Sequence, residues 1–225
     1  MSTFVLIHGL CHGGWCWDRT ATDLASWGHD VTSVDLPLSG LDDDAAAVAG
    51  VLDGLDGPVV LVGHSYGGLV ISRVADARRD VTHLVYIAAL MIGADEVPGA
   101  VVAEFPPTLF NQRFKVSDDR MITIDPEQAL DCFYSECEDS VARAAAARLR
   151  PTSVNCLRSP TGAEPWNELP STYVVCERDQ TIHPDMQRAM SMNAGQVYSL
   201  ATDHSPFMSA PEEVLQILVQ ASNEA

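Results

Sequence analysis

The chain predicts an α/β fold built on a doubly wound parallel sheet. Three observations carry that expectation. Short apolar runs alternate with longer stretches of helical spacing, an order that calls for crossover connections and parallel pairing. The run Val59-Val60-Leu61-Val62 has no polar face, as a strand covered by helices on both sides requires. The rhythm holds from residue 4 to 88, breaks near 90 and resumes at 173, so two separated parts of the chain share one sheet.

In chain order, residues 4–7 form the first strand, bounded by His8-Gly9, and residues 18–27 a helix with Leu24 and Trp27 three apart. Residues 31–34 are the second strand, ended by Asp35-Leu36-Pro37 and Ser39-Gly40. Asp42-Asp43-Asp44 opens an alanine- and valine-rich helix to about Leu55, its negative first turn matching the helix dipole. Gly57-Pro58 stops it before the strand at 59–62; a helix over 67–77 and a strand over 84–88 follow. Residues 91–169 carry prolines at 98, 106, 107, 126, 151, 160 and 165, a polar stretch at 115–120 and one strong helix over 139–149. No run of alternating strands is legible there, and the segment reads as a mostly helical insertion over one end of the sheet. A strand at 173–176, a helix started by Pro184, a strand at 197–200 and an amphipathic helix over 212–221 complete the chain. The core is assigned to 1–90 and 170–225, the cap to 91–169.

Composition removes several functional classes. A chain of 225 residues, 47% apolar and 20% charged, has the makings of one large globular domain and is unlike a disordered one. Thirty-one acidic against thirteen basic residues leave a net charge of −18, which repels a phosphate backbone and an anionic membrane alike. No apolar run of membrane-spanning length occurs, and Met1-Ser2-Thr3 lacks the basic flank of a signal peptide; a cytoplasmic location is expected. The six cysteines are scattered without a CxxC pair and read as reduced thiols. Cys11, His12 and Cys16 cluster, but a closed zinc site needs a fourth ligand, so no metal is expected.

Chemistry concentrates in Gly63-His64-Ser65-Tyr66-Gly67-Gly68, which fits G-x-S-x-G directly after an apolar strand and at the start of a helix. On such a tight turn the serine adopts strained angles, and only small neighbours let the chain pass. Its hydroxyl then stands clear of the sheet at a helix N-terminus, where a developing anion is favoured. Ser65 is therefore the candidate nucleophile, and it needs a base and a group to orient that base. In such sheets the order is Ser, acid, His. Of the downstream histidines, His83 precedes a strand at the far end and His183 comes too early. His204, in the loop Thr202-Asp203-His204-Ser205-Pro206, can hang over Ser65. Asp179 in Cys176-Glu177-Arg178-Asp179-Gln180 is the first choice of acid; Glu177 competes nearby, and Asp95 or Glu96 after the preceding strand is a topological alternative. Asp203 is read as structuring the histidine loop and Asp35 as capping a turn. The loop His8-Gly9-Leu10-Cys11-His12-Gly13-Gly14-Trp15 lies where hydrolases of this kind place their oxyanion donors, here the N–H groups of Leu10 and Tyr66, with His8 and His12 bracing it.

Together these segments resemble the α/β-hydrolase superfamily and, within it, the group holding plant methyl esterases, the salicylate-binding esterase and the hydroxynitrile lyases. The carrying residues are Phe4-Val5-Leu6-Ile7-His8-Gly9 with Cys11-His12-Gly13-Gly14-Trp15, then Val62 to Gly68. Val175-Cys176-Glu177-Arg178-Asp179 with Pro184 and Gln187-Arg188, and the pair Asp203-His204, complete the match. The resemblance implies the α/β-hydrolase fold, with about six mainly parallel strands, helices on both faces and a helical cap, and a Ser65-Asp179-His204 triad without cofactor. The lyases carry a threonine where this chain has Gly9 and a lysine where it has Ser205. Lacking that charge, the chain follows the esterase pattern, and the double change Gly9→Thr with Ser205→Lys is expected to shift it toward cyanide release.

The expectation is thus a serine esterase acting on a small, fairly apolar ester, with Gly9, Leu10, Trp15, Tyr66 and cap residues such as Phe105, Phe110, Phe114 or Phe133 lining the pocket. A triad-dependent lyase or tailoring enzyme of secondary metabolism, and a low-turnover ligand receptor, are the competing readings. A homodimer stays open.

Overall fold

Six apolar runs become six strands of one wholly parallel sheet in the computed structural model, which describes residues 2–224. The first part of the chain supplies β1 (Thr3–Ile7), α1 (Asp18–Ser26), β2 (Asp30–Val34), α2 (Leu41–Leu52), β3 (Val59–His64), α3 (Gly67–Ala75) and β4 (Val81–Ile87). The following segment forms α4 (Pro98–Val102), α5 (Leu109–Arg113), β5 (Lys115–Val116), β6 (Met121–Thr123), α6 (Pro126–Phe133), α7 (Asp139–Ala146) and β7 (Thr152–Ser153). The chain then returns to the sheet with β8 (Ser171–Cys176), α8 (Pro184–Ser191), β9 (Gln196–Leu200), α9 (Pro206–Ser209) and α10 (Pro211–Asn223).

The strand order is β2-β1-β3-β4-β8-β9. From β1 the chain winds first to one side and then to the other, which opens a crevice beyond the C-terminal ends of β1 and β3. Because all six strands run the same way, the loops after β1, β3, β8 and β9 emerge at one edge.

Alternation along the strands divides the core. Val5, Ile7, Leu61, Leu84 and Tyr86 face one side and pack with Val48, Leu69 and Met186. Phe4, Leu6, Val60, Val62, Val85 and Ile87 face the other, with Trp17, Leu24 and Leu218. Both faces are covered over the centre of the sheet, so β1, β3 and β4 carry apolar residues at odd and even positions, as the sequence pattern anticipated.

Three local expectations are corrected. The insertion is not free of strands: the polar stretch at 115–120 is a hairpin, and β5, β6 and β7 form a small antiparallel sheet. Two- and three-residue strands are too short to show a period of two. Helix α1 ends at Ser26, leaving Trp27 61% exposed while Leu24 is fully buried, so their spacing does not mark one apolar face. His83 lies inside β4, not ahead of it, with Nε2 2.9 Å from Thr172 Oγ1.

Candidate active site

Ser65 sits between β3 and α3 with φ +55°, a left-handed conformation that a side-chain-bearing residue holds only where its surroundings impose it. The surroundings are backbone. Ile87 O accepts the Ser65 N–H at 3.2 Å, and Ser65 O accepts the N–H groups of Gly68 and Leu90 at 3.1 and 3.0 Å. A Cβ on Gly63 would stand 2.6 Å from Gly67 O, and one on Gly67 2.7 Å from Ile7 O, which is why the turn needs both glycines.

Asp179 and His204 come together at the same edge, both buried. His204 Nδ1 donates to Asp179 Oδ2 at 2.7 Å. Gln187 Nε2 also donates to that oxygen at 2.7 Å, while Thr181 and Ile182 N–H donate to Oδ1 at 2.6 and 3.0 Å. Four donors hold the carboxylate in one orientation. Gln187 is itself fixed, accepting from Cys176 N–H at 2.9 Å and donating to Ile182 O at 2.8 Å. The competing acids stand apart: Glu177 is engaged by Arg188 and Ser199, and Asp95 is exposed.

His64, the variable position before the serine, escaped the sequence reading. Wholly buried, it donates from Nε2 to His204 O at 2.8 Å and packs its ring 4.5 Å from the His204 ring. It thereby links the elbow to the histidine loop. Asp203 holds that loop from within, accepting from Ser205 N–H at 3.0 Å and Ser209 Oγ at 2.8 Å, and reaches the cap through Glu136 N–H at 2.8 Å.

The loop after β1 lies directly on Ser65: a Cβ on Gly9 would be 2.7 Å from Ser65 Cβ and 3.2 Å from Ser65 Oγ. His8 Nε2 faces the Leu36 N–H at 3.0 Å and must accept there, so its proton sits on Nδ1 and is donated to Gly9 O at 2.8 Å. Gly9 O and Leu10 N–H share one peptide plane, so this bond aims the Leu10 N–H. Neither the Leu10 nor the Tyr66 N–H has a protein acceptor among the described residues. His12 donates from Nδ1 to Leu10 O at 2.8 Å and accepts the Tyr134 hydroxyl at Nε2 at 2.8 Å. Both its nitrogens are therefore engaged, and burial pushes the Cys11 thiol up to about 11, so this cluster offers no ready metal ligands.

The lining residues separate. Phe133 lies beside the site, its ring 5.9 Å from His204 and 5.2 Å from His12. Phe110 packs on Phe133 at 5.3 Å and, with Phe105, Phe114, Val102 and Ile122, lines an apolar cavity of about 430 Å³ in the cap. Trp15 lines a groove whose lining includes neither Ser65 nor His204. It stacks on His12 at 5.7 Å and carries Arg148 4.5 Å above its ring, in an outer groove with Met208. The Tyr66 ring also points away, its hydroxyl donating to buried Asp44 at 2.6 Å, and only its backbone faces the crevice. The Gly9→Thr, Ser205→Lys exchange carries a steric cost: a Cβ on Gly9 would be 2.7 Å from Ser65 Cβ, and Ser205 is fully buried.

Burial favours the neutral form of His8, His12 and His64 beside the site and of His83 inside β4. His8 is pushed down to about 4 and His12 to about 3, and His64 and His83 are lowered, chiefly by desolvation. Each takes up a proton more readily when unfolded, so the stability from neutral burial is complete above about pH 6.5 and is lost as pH falls toward the folded values. Asp44, raised by burial, opposes this, one group against four. The melting temperature should decline steadily from about pH 7 to 5, above the range where unfolded carboxylates titrate. A flat melting profile across that window would contradict it.

A family model described as the alpha/beta hydrolase family matches residues 4–217. The chain belongs to that family. Among curated relatives, methyl jasmonate esterase 1 of Vitis vinifera is 30% identical, covering 96% of this chain and 94% of its own. Methylesterase 18 of Arabidopsis thaliana is 27% identical over 98% and 97%. A pyrethroid hydrolase from Sphingobium faniae shares the fold, with a TM-score of 0.86 at 23% identity over 97% of this chain and 96% of that one.

Proposed function

We propose that this member of the family is a carboxylic ester hydrolase working through Ser65, His204 and Asp179. The observation that carries the reading is the buried His204–Asp179 pair, linked through His64 to a left-handed serine beside the loop that carries Leu10, whose N–H, like that of Tyr66, has no protein acceptor among the described residues. The relatives named as esterases support the same reaction class.

Ser65 Oγ attacks the ester carbonyl as its proton passes to His204 Nε2, and the carbonyl electron pair collects on the oxygen facing Leu10 and Tyr66 N–H. The C–O bond to the alcohol breaks, and the alcohol leaves with the proton from His204. Water then gives a proton to His204 and attacks the acyl-enzyme; the acid departs, and the proton returns to Ser65 Oγ. Asp179 holds Nδ1–H in place and stabilises the imidazolium of each step. Each oxyanion donor is typically worth ~10²–10³ in rate. The cap cavity, bordered by Phe105 and Phe110, suits the apolar part of a small ester, with Phe133 between it and His204.

A second reading, a triad-dependent tailoring reaction, is favoured by one relative, norfluorocurarine synthase 2 of a Strychnos species, 28% identical over 98% of this chain and 95% of its own. Lyase chemistry lacks support at Ser205, which is uncharged and buried. p-Nitrophenyl acetate and butyrate assayed beside mandelonitrile should give ester turnover that far exceeds cyanide release and survives EDTA. Cyanide release without ester turnover, or activity lost with a stoichiometric metal, would overturn the proposal.

A further inference from the structure

The back of the loop 8–12 is gripped by the cap segment just before and within β7. Arg150 meets it through its backbone N–H and through the Nε and Nη2 of its guanidinium. Its backbone N–H donates to Cys11 O at 2.9 Å, its Nε to His12 O at 2.7 Å and its Nη2 to Leu36 O at 2.7 Å. The same Nη2 lies 3.3 Å from His8 Nε2 and 3.7 Å from Asp35 Oδ1. Two residues on, Thr152 Oγ1 accepts the Cys11 N–H at 2.8 Å. Cys11 is thus held at both its N–H and its C=O, and its φ is +63°, a conformation a cysteine keeps only under such restraint.

We propose that Arg150 is a positioning residue for the oxyanion hole, acting through this loop without touching substrate. The inference rests on the esterase reading and on Leu10 N–H as a donor. Leu10 is flanked by the two points that Arg150 controls. On one side, the guanidinium faces His8 Nε2 and reinforces it as an acceptor, which keeps the other ring proton on Gly9 O and so aims the Leu10 N–H. On the other side, Arg150 and Thr152 hold Cys11 in the turn that carries Leu10 into the crevice. A planar fork can serve His12 O and Leu36 O together, whereas a lysine ammonium on a flexible stem cannot reproduce both directions. The oxyanion donor is in this way set by the cap as well as by the sheet. Misplacement by about 1 Å in such a site costs about 10²-fold in rate.

The test compares Arg150→Met and Arg150→Lys with the wild type and with Arg143→Ala, an exposed cap arginine paired with Glu127 and Asp139. Turnover of p-nitrophenyl butyrate is resolved into kcat and KM. Inhibition is measured with a trifluoromethyl ketone, which forms an oxyanion on Ser65, and with a methyl ketone of the same size, which stays a ground-state ligand. Arg150→Met should lose about 10²-fold in kcat with KM within about threefold, and Arg150→Lys should recover only part of the loss. Fluoroketone affinity should fall in parallel while methyl ketone affinity holds, and Arg143→Ala should match the wild type. A merely structural arginine would lower the melting temperature without that selective loss. If Arg150→Met does not fold, Thr152→Val and Arg150→Lys are read by the same split. Folded variants that keep wild-type kcat and fluoroketone affinity, in a background where the wild type hydrolyses ester and takes up a fluorophosphonate at Ser65, overturn the inference and leave the esterase reading standing. A wild type that does neither brings down both.

Discussion

Ser65→Ala should reduce ester hydrolysis by roughly 10⁴–10⁶, the scale on which a nucleophile acting as one unit with its base is lost. The size follows from what remains. His204 would still be held by Asp179, and the proposed donors, the Leu10 and Tyr66 N–H groups, would be untouched, but no covalent acyl-enzyme can form. Residual turnover would come from binding and the oxyanion donors alone. Fluorophosphonate labelling should vanish with activity, as read by intact mass. Because the elbow's glycines and the backbone bonds at Ser65 N–H and O are untouched, the thermal midpoint should hardly move. Labelling that persists at another serine would remove Ser65 from its place.

Asp179→Asn is the second large effect, with an expected loss of about 10⁴ in kcat. Both carboxylate oxygens accept two hydrogen bonds, and an amide has only one oxygen. With the amide NH₂ turned toward His204 and Gln187, the imidazole can pair only by offering Nδ1 as acceptor, which puts its proton on Nε2, where the serine proton should go. With NH₂ turned toward Thr181 and Ile182, donors face donors in a buried site. Neither orientation is sound, and the first destroys the base. Asp95→Asn, on an exposed residue, should behave as wild type. A pH–rate profile on folded variants checks both; an active Asp179→Asn beside a dead Asp95→Asn would move the acid to the other strand.

Much of this was legible in particular residues. The fully apolar run at 59–62 and the interrupted strand–helix rhythm were enough for a parallel sheet, because burial on two faces leaves a local signature in every strand. Gly63, Ser65 and Gly67 marked the elbow, since their spacing is set by backbone crowding within a few residues. Asp179 and His204 were reachable through chain order and their places after apolar runs.

The rest depended on contacts between distant parts of the chain. Asp44 read as one of three acids at a helix start, yet it is buried and accepts from Tyr66, 22 residues away. His64 read as a variable position in a motif, yet its partner is the His204 carbonyl 140 residues on. Gln187 entered only through a resemblance, and nothing local showed that it completes the shell around Asp179. Trp15 and Tyr66 were assigned to the pocket by proximity in sequence, and side-chain direction, set by Arg148 and Asp44, turned both away. By itself the sequence determined the sheet, the elbow and the order of the polar residues that follow it, because periodicity and steric crowding act over neighbours in the chain. Only the tertiary structure decided which oxygen meets which proton, because a buried polar group is held by whatever partner the fold brings within about 3 Å, and that partner's distance along the chain has no bearing on the bond.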